Sequence, residues 1–311
     1  RTALIEWDEV KNMKSRWLTA STMLGVMAVL LVCSADTAQA VRDALALCAQ
    51  SVVPSLFPFF VLSSLFIDLG CAYTFGHALA PIMYRLFGVS GAGGTAFLLG
   101  MIGGYPVGAR TAGALYQSGQ CSKEECERLL MFCNNAGPSF ILGIAGLGCF
   151  GSTRVGAWLY LIHVAAAVIV GLLYRKNAAN MKIETGHFQA CSWVDAFINA
   201  VRSGAISMVY ICGFIVFFLV ILRLLTRFTG IGNGALLGII EMTNGILRLD
   251  NDRWGFMTAA GLLGWGGLSI HCQTAAVVHA SGLSMKRYYW GKALQALLSM
   301  VLAWPMGRIV L

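Results

Sequence analysis

Charge is what this sequence has least of. Of its 311 residues only 12% are Asp, Glu, Lys or Arg and 58% are hydrophobic, where a soluble domain carries roughly 25% charged residues. A water-soluble chain of this length has no way to hide so much apolar surface. An ordinary soluble enzyme or binding domain is therefore excluded, and the lipid bilayer becomes the solvent. Acidic residues are scarcest, 14 against 22 basic, for a net charge of +8. The basic residues stand singly between apolar runs, with no basic face or aromatic–basic platform, so a nucleic-acid partner is excluded as well. P-loop, HExxH and GxSxG motifs are missing, and so is any nucleophile–base–acid constellation. We expect no enzyme activity and no ATP-driven transport by this chain alone. CxxC pairs and Cys/His metal spacings are also missing. The ten cysteines fall mostly inside apolar runs, where a thiol serves as a small apolar side chain, and no resident cofactor or metal is expected.

What is present is a series of apolar runs near the ~20 residues that a crossing needs. They are 17–34, 52–70, 129–150, 155–174, 204–226, 255–282 and 289–310. The first follows Lys14 and Arg16 and precedes Ala38-Gln39-Ala40, as in a signal peptide. We read it as the first span. Two more stretches, 90–119 and 230–249, are glycine-rich and broken by polar groups. They suit hairpins that dip into the membrane and return on the same side. Charge placement tests this layout. With the N-terminus inside, Lys11, Lys14, Arg16, Arg85, Lys123, Arg128, Arg175, Lys176, Lys182, Lys286, Arg287 and Lys292 all fall on the cytoplasmic side. Only arginines fall outside: Arg42, Arg154, Arg227, Arg248, Arg253 and Arg308. Counting the hairpins as spans scatters the lysines over both sides. The expected fold is an all-α polytopic membrane protein of seven spans and two re-entrant hairpins, lying in the cell membrane.

The halves resemble each other in order. Asp43-Ala44 answers to Asp195-Ala196, and Leu98-Leu99-Gly100-Met101-Ile102 to Leu236-Leu237-Gly238-Ile239-Ile240. Ala136-Gly137-Pro138-Ser139-Phe140 answers to Gly266-Gly267-Leu268-Ser269-Ile270. One half begins its span outside and the other inside, so the repeats are inverted. We divide the chain into 1–35 (N-terminal segment and first helix), 36–175 (repeat 1) and 176–311 (repeat 2). Each repeat carries a hairpin and a discontinuous helix, at 90–119 and 129–150 and at 230–249 and 255–282. In secondary transporters of this kind substrate binds at the midplane, where broken helices meet. Backbone freed by a break persists in lipid only where protein or a wet cavity satisfies it.

Candidate binding residues cluster at those four places. The first hairpin tip holds Tyr105, Arg110 and Thr111. A charge at that depth costs a few kcal/mol, and a guanidinium fork suits a carboxylate or phosphate; snorkelling or a structural ion pair is the plainer role. The second tip holds Glu241, Thr243 and Asn244. Glu241 could pair with Arg110, bind a coupling cation or carry a coupling proton. Asn134, Asn135 and Ser139 mark the first helix break, and Ser269, His271 and Gln273 the second. These amides, hydroxyls and imidazole suit a polar solute or an ion, or else hydrogen bonds that hold the breaks. Tyr105 and Trp265 could stack on a planar substrate or simply fill space.

Three runs carry a family resemblance: Pro54-Ser55-Leu56-Phe57-Pro58-Phe59, Gly100 through Arg110, and Cys133-Asn134-Asn135-Ala136-Gly137-Pro138-Ser139-Phe140. They resemble the YlbJ/SpoVV family of sporulation integral membrane proteins, within the Gate, or nucleoside-recognition, membrane proteins. The resemblance covers about 20–311 and is strongest over 50–165. Gate proteins are similar to the cores of concentrative nucleoside transporters, in which two hairpins and two broken helices hold substrate and sodium. The resemblance implies transport of dipicolinic acid across the outer forespore membrane, with Na+ or H+ as coupling ion. It also implies a homo-oligomer, since related transporters form trimers. A nucleoside substrate, or a non-transporting sporulation scaffold, are its alternatives.

Overall fold

The computed structural model describes residues 2–176 and 192–311; Lys182, counted above with the cytoplasmic cluster, lies outside them. All regular structure among these residues is helical. In the first half, α1 (Thr2–Val32) and α2 (Ser34–Leu47) lead through a π-helical turn into α3 (Val53–Asp68) and α4 (Cys71–Phe87). Then come α5 (Gly91–Gly103), α6 (Val107–Gln117), α7 (Lys123–Cys133), a π-helical segment Phe140–Cys149, and α8 (Thr153–Leu173). The second half comprises α9 (Trp193–Thr229), α10 (Gly234–Ile240), α11 (Met242–Ile246), α12 (Arg253–Trp265), α13 (Gly267–His279) and α14 (Lys286–Val310). Polar residues that satisfy the first free N–H groups set the starts. Ser90, Ser122, Ser152, Ser192, Asn233 and Asp252 accept from the first turns of α5, α7, α8, α9, α10 and α12.

Only α8, α9 and α14 are single described helices long and apolar enough to cross a bilayer. Two bent pairs are also apolar enough: α1 turns by 88° into α2, and α4 turns by 86° into α5, where the first hairpin begins. The expected spans at 129–150 and 255–282 are each two half-helices, α7 with the π-helical segment and α12 with α13, as their internal polar runs imply. The run at 52–70 gives the 16-residue α3, short for a crossing. Helix α4 is absent from the expected spans because His77, Pro81, Tyr84 and Arg85 interrupt its apolar run. Large apolar side chains such as Leu161, Val209, Phe217 and Val301 point outward from α8, α9 and α14. Such a surface suits lipid.

The expected hairpins are α5–α6 and α10–α11, and each returns to the end where it began. The Ser90 N–H donates to Glu125 Oε1 at 2.6 Å, and Arg128 donates to the Gly88 carbonyl at 2.5 Å. Gly234 likewise lies against the Arg248 backbone. Both hairpins close on a glycine pair. A Cβ on Gly100 would sit 2.9 Å from Gly108 Cα, and one on Gly245 would strike Gly238. Gly100 and Gly238 occupy the same place in the two Leu-Leu-Gly runs. Element pairings also exchange between halves: α7 packs on α14 as α12 packs on α8, and α6 meets α13 as α11 meets the π-helical segment. This is consistent with inverted repeats.

Charged side chains pair at two ends of the molecule, and one residue departs from the expected placement. At the end where α8 finishes and α14 begins, Glu124 pairs with Lys176 and lies 3.7 Å from Arg287, and Glu127 accepts from the Ser284 N–H at 2.9 Å. At the other end Asp36 pairs with Arg227, and Arg253 stacks 3.5 Å over Trp304. Lys292, counted among the cytoplasmic charges, is instead fully buried. It stands two turns inside α14, facing the protein interior.

Candidate substrate cavity

Two hairpin tips and two helix breaks converge on one cavity. Gly104, at the first tip, adopts φ +80° and lies against Gly137 in the first break; a Cβ there would be 2.9 Å from Gly137 N. Gly267, in the second break, adopts φ +82° and lies against Met242 and Ile240 of the second tip, 3.1 and 3.3 Å from a Cβ there. Only glycine takes such φ values freely while allowing backbone this close. The cavity between them measures about 320 Å³. Its apolar wall comes from Leu56 and Phe59 of α3, Phe140 and Ile144 of the π-helical segment, Ile211 and Ile215 of α9, and Ile270 of α13.

Five of the expected residues line it: Tyr105, Ser139, Glu241, Thr243 and Gln273. Glu241 supplies the one charged side chain among the lining residues. Its Oε1 accepts from Thr243 N at 3.1 Å, and its Oε2 from Asn244 N and Nδ2, both at 2.8 Å. The carboxylate thereby caps α11, a helix of only five residues. Ser139 and Thr243 hydroxyls make no hydrogen bond to described residues. Gln273 donates to Ser269 Oγ at 3.1 Å and keeps its carbonyl oxygen uncommitted. Tyr105 presents its ring, while its hydroxyl donates to the Leu263 carbonyl at 2.7 Å.

The other expected residues lie outside the lining, each for a stated reason. Arg110 points from α6 toward α3 and α9. It donates to the Phe60 carbonyl at 2.9 Å and to Ser203 Oγ at 2.6 Å, lies 5.0 Å over the Phe60 ring, and has Asp68, not Glu241, as its electrostatic partner. Thr111 is buried, its hydroxyl without a described partner. Asn134 donates to Thr274 Oγ1 at 3.0 Å, and Asn135 to the Phe132 carbonyl at 2.7 Å, so both amides hold the first break. Ser269 is the acceptor of the Gln273 bond. His271 contacts the Tyr288 hydroxyl at 3.0 Å and Trp265 edge-on at 4.3 Å. The Trp265 indole donates to the Ile239 carbonyl at 3.2 Å, which joins the second break to the second tip. Asn244 lines a second cleft of about 330 Å³ with Arg223, Arg227 and Arg248. Asn244 is thus the lining residue of that cleft that bonds to Glu241.

Residues 49–174 match the family model described as Gate, nucleoside recognition. The chain is 27% identical, over an alignment of 329 positions, to the sporulation integral membrane protein YlbJ of Bacillus subtilis (strain 168). The alignment covers 91% of this chain and 81% of the relative. No solved structure matches. The protein is a membrane protein.

The stretch that the Gate model matches holds the first hairpin, the first break and α8, but the break is completed from beyond it. Lys292 on α14 donates to the Asn134 carbonyl at 3.0 Å, and Gln295 donates to Asn135 Oδ1 at 2.8 Å. Within the stretch, His163 on α8 accepts from Ala136 N at 3.1 Å. None of these three was among the expected site residues. Their signal was present in one place: Lys292, Gln295 and Ser299 are spaced i, i+3, i+7 in an apolar run. A single polar stripe on a membrane helix faces protein, not lipid. All three are fully buried.

Proposed function

We propose that the protein is a secondary transporter that carries a small planar organic acid through this cavity by alternating access. The observation that carries the reading is the cavity's position, bounded by both hairpin tips and both helix breaks. It has two poles. At one, Pro138 has no N–H, so those of Ser139 and Phe140 are the first of the π-helical segment; helix-start N–H groups lack an internal partner and favour anionic oxygen. At the other stands the Glu241 carboxylate. The apolar wall between suits an aromatic ring. Similarity to a sporulation membrane protein makes dipicolinic acid the first substrate to test, with the forespore membrane as its setting. A dicarboxylate meets Glu241 as a like charge, so the reading needs a coupling Na+ or H+ that reaches Glu241 together with substrate. The arginine cleft beyond Asn244 would then be the path from the opposite face.

A nucleoside is the second reading. It is favoured by the lack of a cationic side chain among the cavity-lining residues and by the nucleoside-recognition description of the Gate model. Uptake of labelled dipicolinate and labelled uridine into proteoliposomes, under imposed Na+ or pH gradients, separates the two. The expected result is gradient-driven dipicolinate uptake that falls at least tenfold in Glu241→Gln. Uridine uptake without dipicolinate uptake selects the nucleoside. Uptake of neither by monodisperse protein ends the transport reading.

A further inference from the structure

The Lys292 ammonium sits in a cage of acceptors at the first helix break. Nζ lies 3.1 Å from Tyr105 Oη, 3.0 Å from the Asn134 carbonyl and 2.7 Å from Gln295 Oε1. Each of the three can only accept from it. The Tyr105 hydroxyl has one hydrogen and gives it to Leu263. The Gln295 amide directs its hydrogens to Asn135 Oδ1 at 2.8 Å and the His163 carbonyl at 3.4 Å, which turns Oε1 toward the lysine. Asn135 is oriented in turn by its own bond to Phe132. A carbonyl has no hydrogen to give. Three acceptors match the three hydrogens of an ammonium; a neutral amine, with two hydrogens and a lone pair, leaves one acceptor unserved. The other titratable groups facing Nζ are Cys133, His163 and His271, and no carboxylate touches it among the described residues. Asn134 ends α7, so its carbonyl lies at the negative end of the half-helix dipole, where cations are favoured.

We infer that Lys292 is a built-in cation that holds the first break, in the place where a bound metal cation would otherwise satisfy the freed carbonyl, the phenol and the amide. The consequence for coupling rests on the transport reading: a coupling ion acts at the Glu241 pole and not at the first break. Lys292→Ala removes three methylenes together with the ammonium, and the three acceptors then border the space left behind.

Thermal unfolding of the purified protein in NaCl, LiCl and choline chloride at equal ionic strength tests the inference without a transport assay. Lys292→Ala should unfold several degrees lower than wild type in choline and recover in Na+ or Li+ by more than wild type does. Lys292→Met fills the space with an apolar chain and should stay low in all three salts. A Lys292→Ala salt response equal to that of wild type, or wild-type stability in Lys292→Met, overturns the proposal. If neither variant folds, wild-type protein labelled with ¹⁵N-lysine in nanodiscs decides. The Nζ whose hydrogens are protected from water exchange should give an ammonium resonance at neutral pH, and an amine resonance there overturns it. Loss of all uptake with the salt response intact removes the transport reading alone; uptake with no salt response removes the cation alone.

Discussion

A charge below the headgroups survives only where its surroundings supply hydrogen bonds, and Arg110 and Lys292 meet that condition in different ways. Arg110 spreads its guanidinium over the Phe60 carbonyl, the Phe60 ring and Ser203, and so ties α6 to α3 and α9. Lys292 points its compact ammonium at three acceptors. Arg110→Gln therefore leaves the Phe60 carbonyl and Ser203 short of a donor, at a cost on the order of 1–3 kcal/mol. The expected outcome is a lower unfolding temperature in detergent with an unchanged KM in the folded fraction. A large rise in KM at wild-type stability would instead place Arg110 in contact with substrate. Glu241 differs from both, because its oxygens are engaged in capping α11 and still border the cavity.

Elements as short as α10 and α11, of seven and five residues, have little helix stability of their own. Packing holds them, and the packing is backbone on backbone at Gly238 and Gly245. Gly245→Ala drives a methyl group into Gly238. Overpacking of this kind costs roughly 1–3 kcal/mol and displaces the tip that carries Glu241. Unfolding temperature and uptake should fall together in this variant. Gly213→Ala is the control: it lies on an exposed face of α9 with nothing within 4 Å of a new Cβ, and it should be neutral or slightly stabilising. Equal behaviour of the two variants would mean that the second hairpin does not close on its glycines. The first hairpin uses Gly100 and Gly108 in the same way, which is why the Leu-Leu-Gly runs align.

At the scale of the whole molecule the hairpins decide the topology. The bonds from Ser90 to Glu125 and from Arg128 to Gly88 bring the start and end of the first hairpin together. Arg85→Cys and Lys123→Cys should therefore react with a membrane-impermeant maleimide from the same side, both cytoplasmic, scored above the labelling of the parent protein. Opposite-sided labelling would turn the hairpin into a span and dissolve the cavity between the two tips. The same clustering gathers Lys176, Glu124 and Arg287 at one end and Asp36 and Arg227 at the other, so a charge count along the chain found the ends of the molecule. It failed at Lys292. Counting sees a lysine near a helix start and has no means of seeing which way the helix faces.

Lipid as solvent, the two glycine-rich dips and the two helix breaks were determined by the sequence alone. Hydropathy, glycine, proline and capping residues act within a few positions of themselves, so their effects can be read locally. Which polar groups face the cavity, and which face one another, only the tertiary structure decided. Lys292 meets Asn134 across 158 positions and Gln295 meets Asn135 across 160. A side chain's hydrogen bonds are fixed by whatever element packs against it, and that partner is not written in its neighbours.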